Sequence, residues 1–417
     1  MKRVSLSIAL AGIFAANSAS AHGPYVVIKD DGTLNGTIKL SPQVLAGKIV
    51  RAYKATGQTL PDVISLWTNF SMDGNDVETL FDVVSNDVKG IGLESQYGGD
   101  GTVTSAFSPL RSILLHNNVT ALPKRAAEQG APIENFAQYI YLLEFSHNWG
   151  PAVQLPAEAD AGADAGAANP GVMIGFPFHW SFFFDPGGMA GGNPWQDMGG
   201  GSFSVTGQSP STIKYSPLDL YIMGLADKSE VPPFGVIENA VVPFDVKDPF
   251  TGATYNASSF PWWGATPFTV TGATRRTVTI DDVIAQNGPR VPDVTTSPKT
   301  FNIGIVLDVA ADATDDEIAA AEADLDPIAA TYPQAFHDAT GGRGTFTIAT
   351  TNTATDDDAG VGDDGGSTDG EATPSSSGSS GGCNVTETAH DRTSWLLFAS
   401  GLVAGAAGLI RRRKQNR

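Results

Sequence analysis

The stretch from Glu134 to His147 constrains this 417-residue chain more than any other. Phe136, Ile140, Leu143 and His147 recur at three- and four-residue intervals, the period of a helix with one apolar face, so a helix over 134–148 is expected. Such a helix must be covered, and covering it calls for a core of some size. It also carries two chemically competent groups. Glu144 and His147 are three positions apart, which places their side chains on one face about 5–6 Å from each other. That spacing suits a shared proton, a shared metal or an ordinary hydrogen bond.

The ends of the chain bound the folded part. Met1-Lys2-Arg3, an apolar run to Ala16, and then Ala19-Ser20-Ala21 have the order of an export signal with its cleavage site. A signal peptide over 1–21 and a mature start near His22 are expected. At the other end, Trp395 to Ile410 is apolar and Arg411-Arg412-Arg413-Lys414 follows it. The run is shorter than the roughly 20 residues of a standard span, yet it reads as a membrane anchor whose basic end stays cytoplasmic. Between them, residues 351–382 are almost entirely Asp, Gly, Ser and Thr, an acidic linker too polar to bury a core. Pro156 to Pro170, rich in Ala, Asp and Gly, reads as a surface insertion. Residues 22–350 remain as the folded region.

A net charge of −20 leaves no basic stripe for phosphates and argues against a nucleic-acid partner. Cys383 is the only cysteine, so no intramolecular disulfide forms.

Within 22–350, Tyr25–Ile28, Val63–Phe70 and Val88–Leu93 have strand composition. Gly171 to Gly207 is dense in Gly, Trp and Phe and reads as irregular. Ser216-Pro217 opens a short helix through Met223. Thr314-Asp315-Asp316-Glu317 is a capping box before an alanine-rich helix that Pro333 is expected to end. Thr345 to Thr350 adds a last strand. Helices and strands alternate without a regular period, which points to the α+β class.

Six histidines divide by their surroundings. His22 and His390 lie at the ends. His116 and His337, beside Asn117 and Asp338, read as surface or capping residues. His147 and His179 each lie close to a tryptophan, and they are the candidates for chemistry.

Leu142-Leu143-Glu144-Phe145-Ser146-His147-Asn148-Trp149-Gly150 resembles the His-Glu-x-x-His-x-Trp-Gly helix of secreted bacterial zincin-type metallopeptidases. Phe178-His179-Trp180-Ser181 and Asp197-Met198-Gly199-Gly200-Gly201-Ser202-Phe203 resemble their glycine-rich segment. Tyr215-Ser216-Pro217-Leu218-Asp219-Leu220-Tyr221 resembles the segment that holds their acidic ligand. The likeness spans roughly 60–350 and implies a zincin-like domain, with an active-site helix and a mixed sheet, acting on a protein or peptide substrate. It implies His147 and Asp219 as zinc ligands, Glu144 as the base for a zinc-bound water, and Tyr215 or Tyr221 as donor to the oxyanion. The pattern departs at Leu143, which stands where the first histidine belongs.

Three readings follow. One is an exported relative whose zinc catalysis is impaired or lost. Another is an active zinc endopeptidase in which His179 replaces the missing imidazole. The third is a non-catalytic carbohydrate-binding or structural surface module, using the aromatic side chains of Phe176–Trp195 or Trp262-Trp263. The tail from Cys383 onward resembles the Myxo-CTERM and GlyGly-CTERM sorting signals. That likeness implies a sorting protease, attachment to the cell envelope and a surface location.

Overall fold

The computed structural model describes residues 19–22, 25–32, 34, 42–72, 79–93, 107–128, 131–153, 155, 173–176, 179–206, 210, 212, 214–241 and 267–349. The linker 351–382, the insertion 156–170, the apolar run 395–410, Cys383 and Trp262-Trp263 lie outside them. No helix among the described residues is long and apolar enough to cross a membrane.

A mixed seven-stranded sheet carries the fold, which is α+β in class. Its strands are β1 (Ala19–His22), β2 (Tyr25–Lys29), β3 (Val63–Thr68), β4 (Leu80–Val83), β5 (Ser112–Asn118), β14 (Thr300–Val309) and β15 (Thr345–Ile348). The order is β1-β2-β14-β3-β5-β4, with β15 paired to the first half of β14. The β2, β14, β3 and β5 strands run parallel, while β1 and β4 are antiparallel edges. β1 takes in Ala19-Ser20-Ala21, the expected cleavage site.

Parallel strands covered on both faces read as nearly continuous apolar runs, and β3 is buried at all six positions. Its Ile64 and Leu66 pack with Val26, Ile28 and Val306 under Leu45, Ile49 and Tyr53 of α1 (Pro42–Ala55). On the opposite face, Val63 and Trp67 pack with Tyr25, Val27 and Leu307. That second face is covered by α3 (Ile133–Ser146) and α6 (Asp315–Ala339), which follow α2 (Leu122–Glu128) and precede β15. Gly304 in β14 is required by α1: a Cβ there would stand 2.1 Å from the Tyr53 hydroxyl.

Two expectations fail for identifiable reasons. Pro333 does not end α6, which runs through both Pro327 and Pro333 to Ala339. An interior proline costs about 3 kcal/mol, whereas fully burying one large apolar side chain returns about 1.5–3 kcal/mol. Leu325, Ile328, Tyr332 and Phe336 are all at most 1% exposed, so the stripe outweighs the prolines. Val88–Leu93 is not a strand. Gly90, Ile91 and Gly92 all take positive φ, and only Lys89 bridges to Val291.

The aromatic segment also departs from its expected irregular form. After β6 (Ile174–Phe176) come β7 (His179–Trp180), β8 (Phe184–Asp185), β9 (Gln196–Gly199) and β10 (Ser202–Val205). Further on lie α4 (Pro217–Met223), β11 (Phe234–Glu238), β12 (Phe268–Val270), β13 (Thr274–Val278) and α5 (Ile280–Asn287). Two small sheets, β12-β10-β9 and β13-β11-β8, result. Phe182, Phe183 and Trp195 form a core with Phe203 and Phe268, and Trp180 and Phe184 join the main core. Buried in this way, they offer no exposed stacking platform for a sugar.

Candidate functional site

The helix α3 is almost wholly interior. From Phe136 to Ser146 only Gln138 is not buried. Its last turn closes on His147, whose backbone N–H bonds the carbonyls of Glu144 and Phe145. Glu144 and His147 therefore enter a protein interior rather than open water.

The Glu144 carboxylate accepts from the hydroxyl of Thr79, the residue just before the edge strand β4. Its other oxygen lies 3.8 Å from Nε2 of His147. Burial pushes the Glu144 carboxyl up to about 7, against the pull of the Thr79 hydroxyl and the Arg125 guanidinium. Burial also holds His147 well below the ordinary histidine range, and the neighbouring His179 adds to this. The ring is thus neutral. Its Nδ1 is 3.4 Å from the Gly150 carbonyl; a proton donated there leaves Nε2 as an acceptor facing Glu144.

His179, from β7, packs edge-on against His147 with ring centres 4.8 Å apart, and Phe81 of β4 contacts the same ring. Thr79, Phe81 and His179 are only half-buried, so the site opens on their side.

Asp219 has a different occupation. It is the third residue of α4 and closes a capping box with Ser216, its Oδ2 accepting from the Ser216 N–H at 2.7 Å. Its Oδ1 accepts from the Trp180 indole at 2.7 Å. Gly188 lies flat against it; a Cβ at that position would be 2.2 Å from Oδ2. Burial raises the Asp219 carboxyl to about 6, and the bonds from Ser216, Trp180 and Met189 limit the rise. Both tyrosines are committed as well. Tyr215 donates to the Leu142 carbonyl at 2.7 Å, and Tyr221 accepts from the Arg290 N–H at 3.1 Å.

The structure thus joins Glu144, His147 and His179, and it gives Asp219, Tyr215 and Tyr221 structural partners. Among the described residues, no three His, Cys, Asp or Glu side chains gather so as to hold a metal ion. Leu143 is 5% exposed and belongs to the main apolar core. Leu143, standing where the first histidine belongs, offers no ligand atom.

The sequence reading misplaced His116 and overlooked Thr79. His116 is fully buried in β5, tilted over Trp67 with ring centres 4.7 Å apart, and among the described residues neither ring nitrogen finds a partner. Thr79 is 65 positions from Glu144, and no local pattern marks it. His337, exposed beside Asp338 in the last turn of α6, is a surface residue as expected.

Comparison with protein-family models, curated proteins and solved structures gives no match for this chain.

Proposed function

We propose that this is an exported, envelope-anchored protein built on a metallopeptidase-like framework whose zinc catalysis has been lost. One observation carries the reading: the two places a third ligand should come from are both taken. Leu143 fills the apolar core, and both oxygens of Asp219 are held by Ser216 and Trp180. What remains is a buried carboxyl beside a neutral imidazole, which can pass a proton between them. Thr79, Phe81 and His179 face the side from which a peptide could approach, so capture of a peptide without cleavage is the role this cleft suits.

The test uses the whole exported chain, its zinc content and its hydrolysis of casein with and without a chelator. The reading expects neither bound zinc nor chelator-sensitive cleavage, and it expects Leu143→His to gain metal affinity. Chelator-sensitive cleavage by the unaltered chain would overturn it.

A second reading, an active zinc endopeptidase using His147 and His179 with Glu144 as base, has one observation in its favour. Two imidazoles bonded to one zinc at about 2.0–2.1 Å with tetrahedral angles have ring centres about 5 Å apart, close to the 4.8 Å found here. Stoichiometric zinc that His179→Ala abolishes would establish it.

A further inference from the structure

On the side of α3 away from Glu144, the molecule has a second concavity. A half-open pocket of about 360 Å³ lies between α3 and α6, within the roughly 300–1,000 Å³ typical of small-ligand sites. Leu142 lines it, and at 100° per residue Glu144 points about 200° away from Leu142 around the helix. The pocket and the Glu144–His147 cleft therefore open in different directions.

The lining has an unusual composition. Three carboxamides face the pocket: Asn135 and Gln138 from α3 and Gln334 from α6. Asn135 and Gln138 are half-buried, and among the described residues neither side chain bonds another protein group, while Gln334 donates to Asp338 at 2.8 Å. Two opposite charges, Lys214 and Asp338, also line it, and they cancel. Leu142 and Met189 supply an apolar floor.

Each carboxamide offers a donor and an acceptor side by side. Such forks match neighbouring hydroxyls, each of which both gives and takes a hydrogen bond. Cancelled charge disfavours phosphates, carboxylates and simple cations alike. An apolar floor suits the C–H face of a sugar ring. We propose that this pocket binds a short neutral saccharide. The proposal goes beyond the reading of the zinc-type site and stands whether or not His147 ever holds a metal.

The test is titration of the whole exported chain with maltose, cellobiose and N-acetylglucosamine at millimolar concentration, followed by ligand-observed NMR. At least one sugar should saturate a single site. Gln138→Ala should weaken that binding about tenfold, the value of one good hydrogen bond, and Met198→Ala on the distant β9–β10 hairpin should leave it unchanged. If Gln138→Ala does not fold, Asn135→Ala carries the same expectation. No saturation by any of the three sugars overturns the proposal. So does binding that survives substitution of both Gln138 and Gln334, or saturation by glycine and by none of the sugars.

Discussion

Two clusters of buried charge lie on opposite faces of the central sheet and are settled in different ways. On the α1 face, Lys48 sits between Asp30 at 3.2 Å, Asp31 at 3.3 Å and Asp308 at 3.4 Å. Burial works against the lysine's charge, but Asp308, Asp30 and Asp31 outweigh it and hold Lys48 above its ordinary value. Burial pushes Asp308 up to about 8, against the pull of Lys48. On the α3 face, Glu144 has a hydroxyl and a neutral imidazole as close neighbours, and the Arg125 charge offsets only part of the effect of its burial. The first cluster gathers around a cation the chain supplies itself. The second sets a carboxyl raised to about 7 beside a neutral imidazole. A buried carboxyl without its own cation is where chemistry, or the remains of chemistry, belongs.

The largest test of this contrast is Lys48→Met. It leaves Asp30 without the buried cation it faces at 3.2 Å and should cost about 3–5 kcal/mol in denaturant unfolding. A loss under about 1 kcal/mol would mean that the lysine does not hold this cluster together and the contrast is false.

Next is Asp219→Ala, which strips partners from the Trp180 indole and the Ser216 N–H and removes a helix cap. A loss of about 3 kcal/mol is expected, the same with or without chelator. Dependence on chelator would return Asp219 to the role of a ligand.

A third test uses pH. His116, held at about 3 by burial and then by the Arg125 charge, binds its proton more readily when the chain is unfolded. Its contribution is complete above the unfolded value near 6.5 and is lost as pH falls toward 3. Stability should therefore drop by about 2 kcal/mol from pH 7 to pH 5 relative to a His116→Leu variant. Parallel pH profiles for the two proteins would show that His116 is wetter than its burial indicates.

The smallest is Thr79→Val, which removes the Glu144 hydroxyl partner and should cost about 1 kcal/mol. No measurable change would mean that Glu144 has another donor.

Local patterns made part of this legible. The spacing of Phe136, Ile140, Leu143 and His147 gave the α3 helix almost to the residue, and the Thr314–Glu317 capping box fixed the start of α6. The apolar runs at Tyr25 and Val63 became β2 and β3. The central strand β14 went unseen, because Asn302 and Gly304 interrupt its pattern and the glycine is explained by Tyr53 and Pro61, more than 240 positions away. At the site, His179 is the one imidazole the sequence offers in place of the missing histidine, and its ring packs against that of His147. The capping of α4 by Asp219 is half-visible, since Ser216 three residues before it is a capping-box pattern. Its bond to Trp180, and the burial of His116 over Trp67, depend on strands that meet only in three dimensions.

Zinc content per chain tests the central claim most directly, measured by elemental mass spectrometry on the whole chain after equilibration with excess zinc and removal of the free ion. Far less than one zinc per chain, with a melting temperature indifferent to added zinc or chelator, is the result expected of a cleft whose third ligand is missing. One tightly held zinc per chain, raising the melting temperature and lost on His147→Ala, would contradict it.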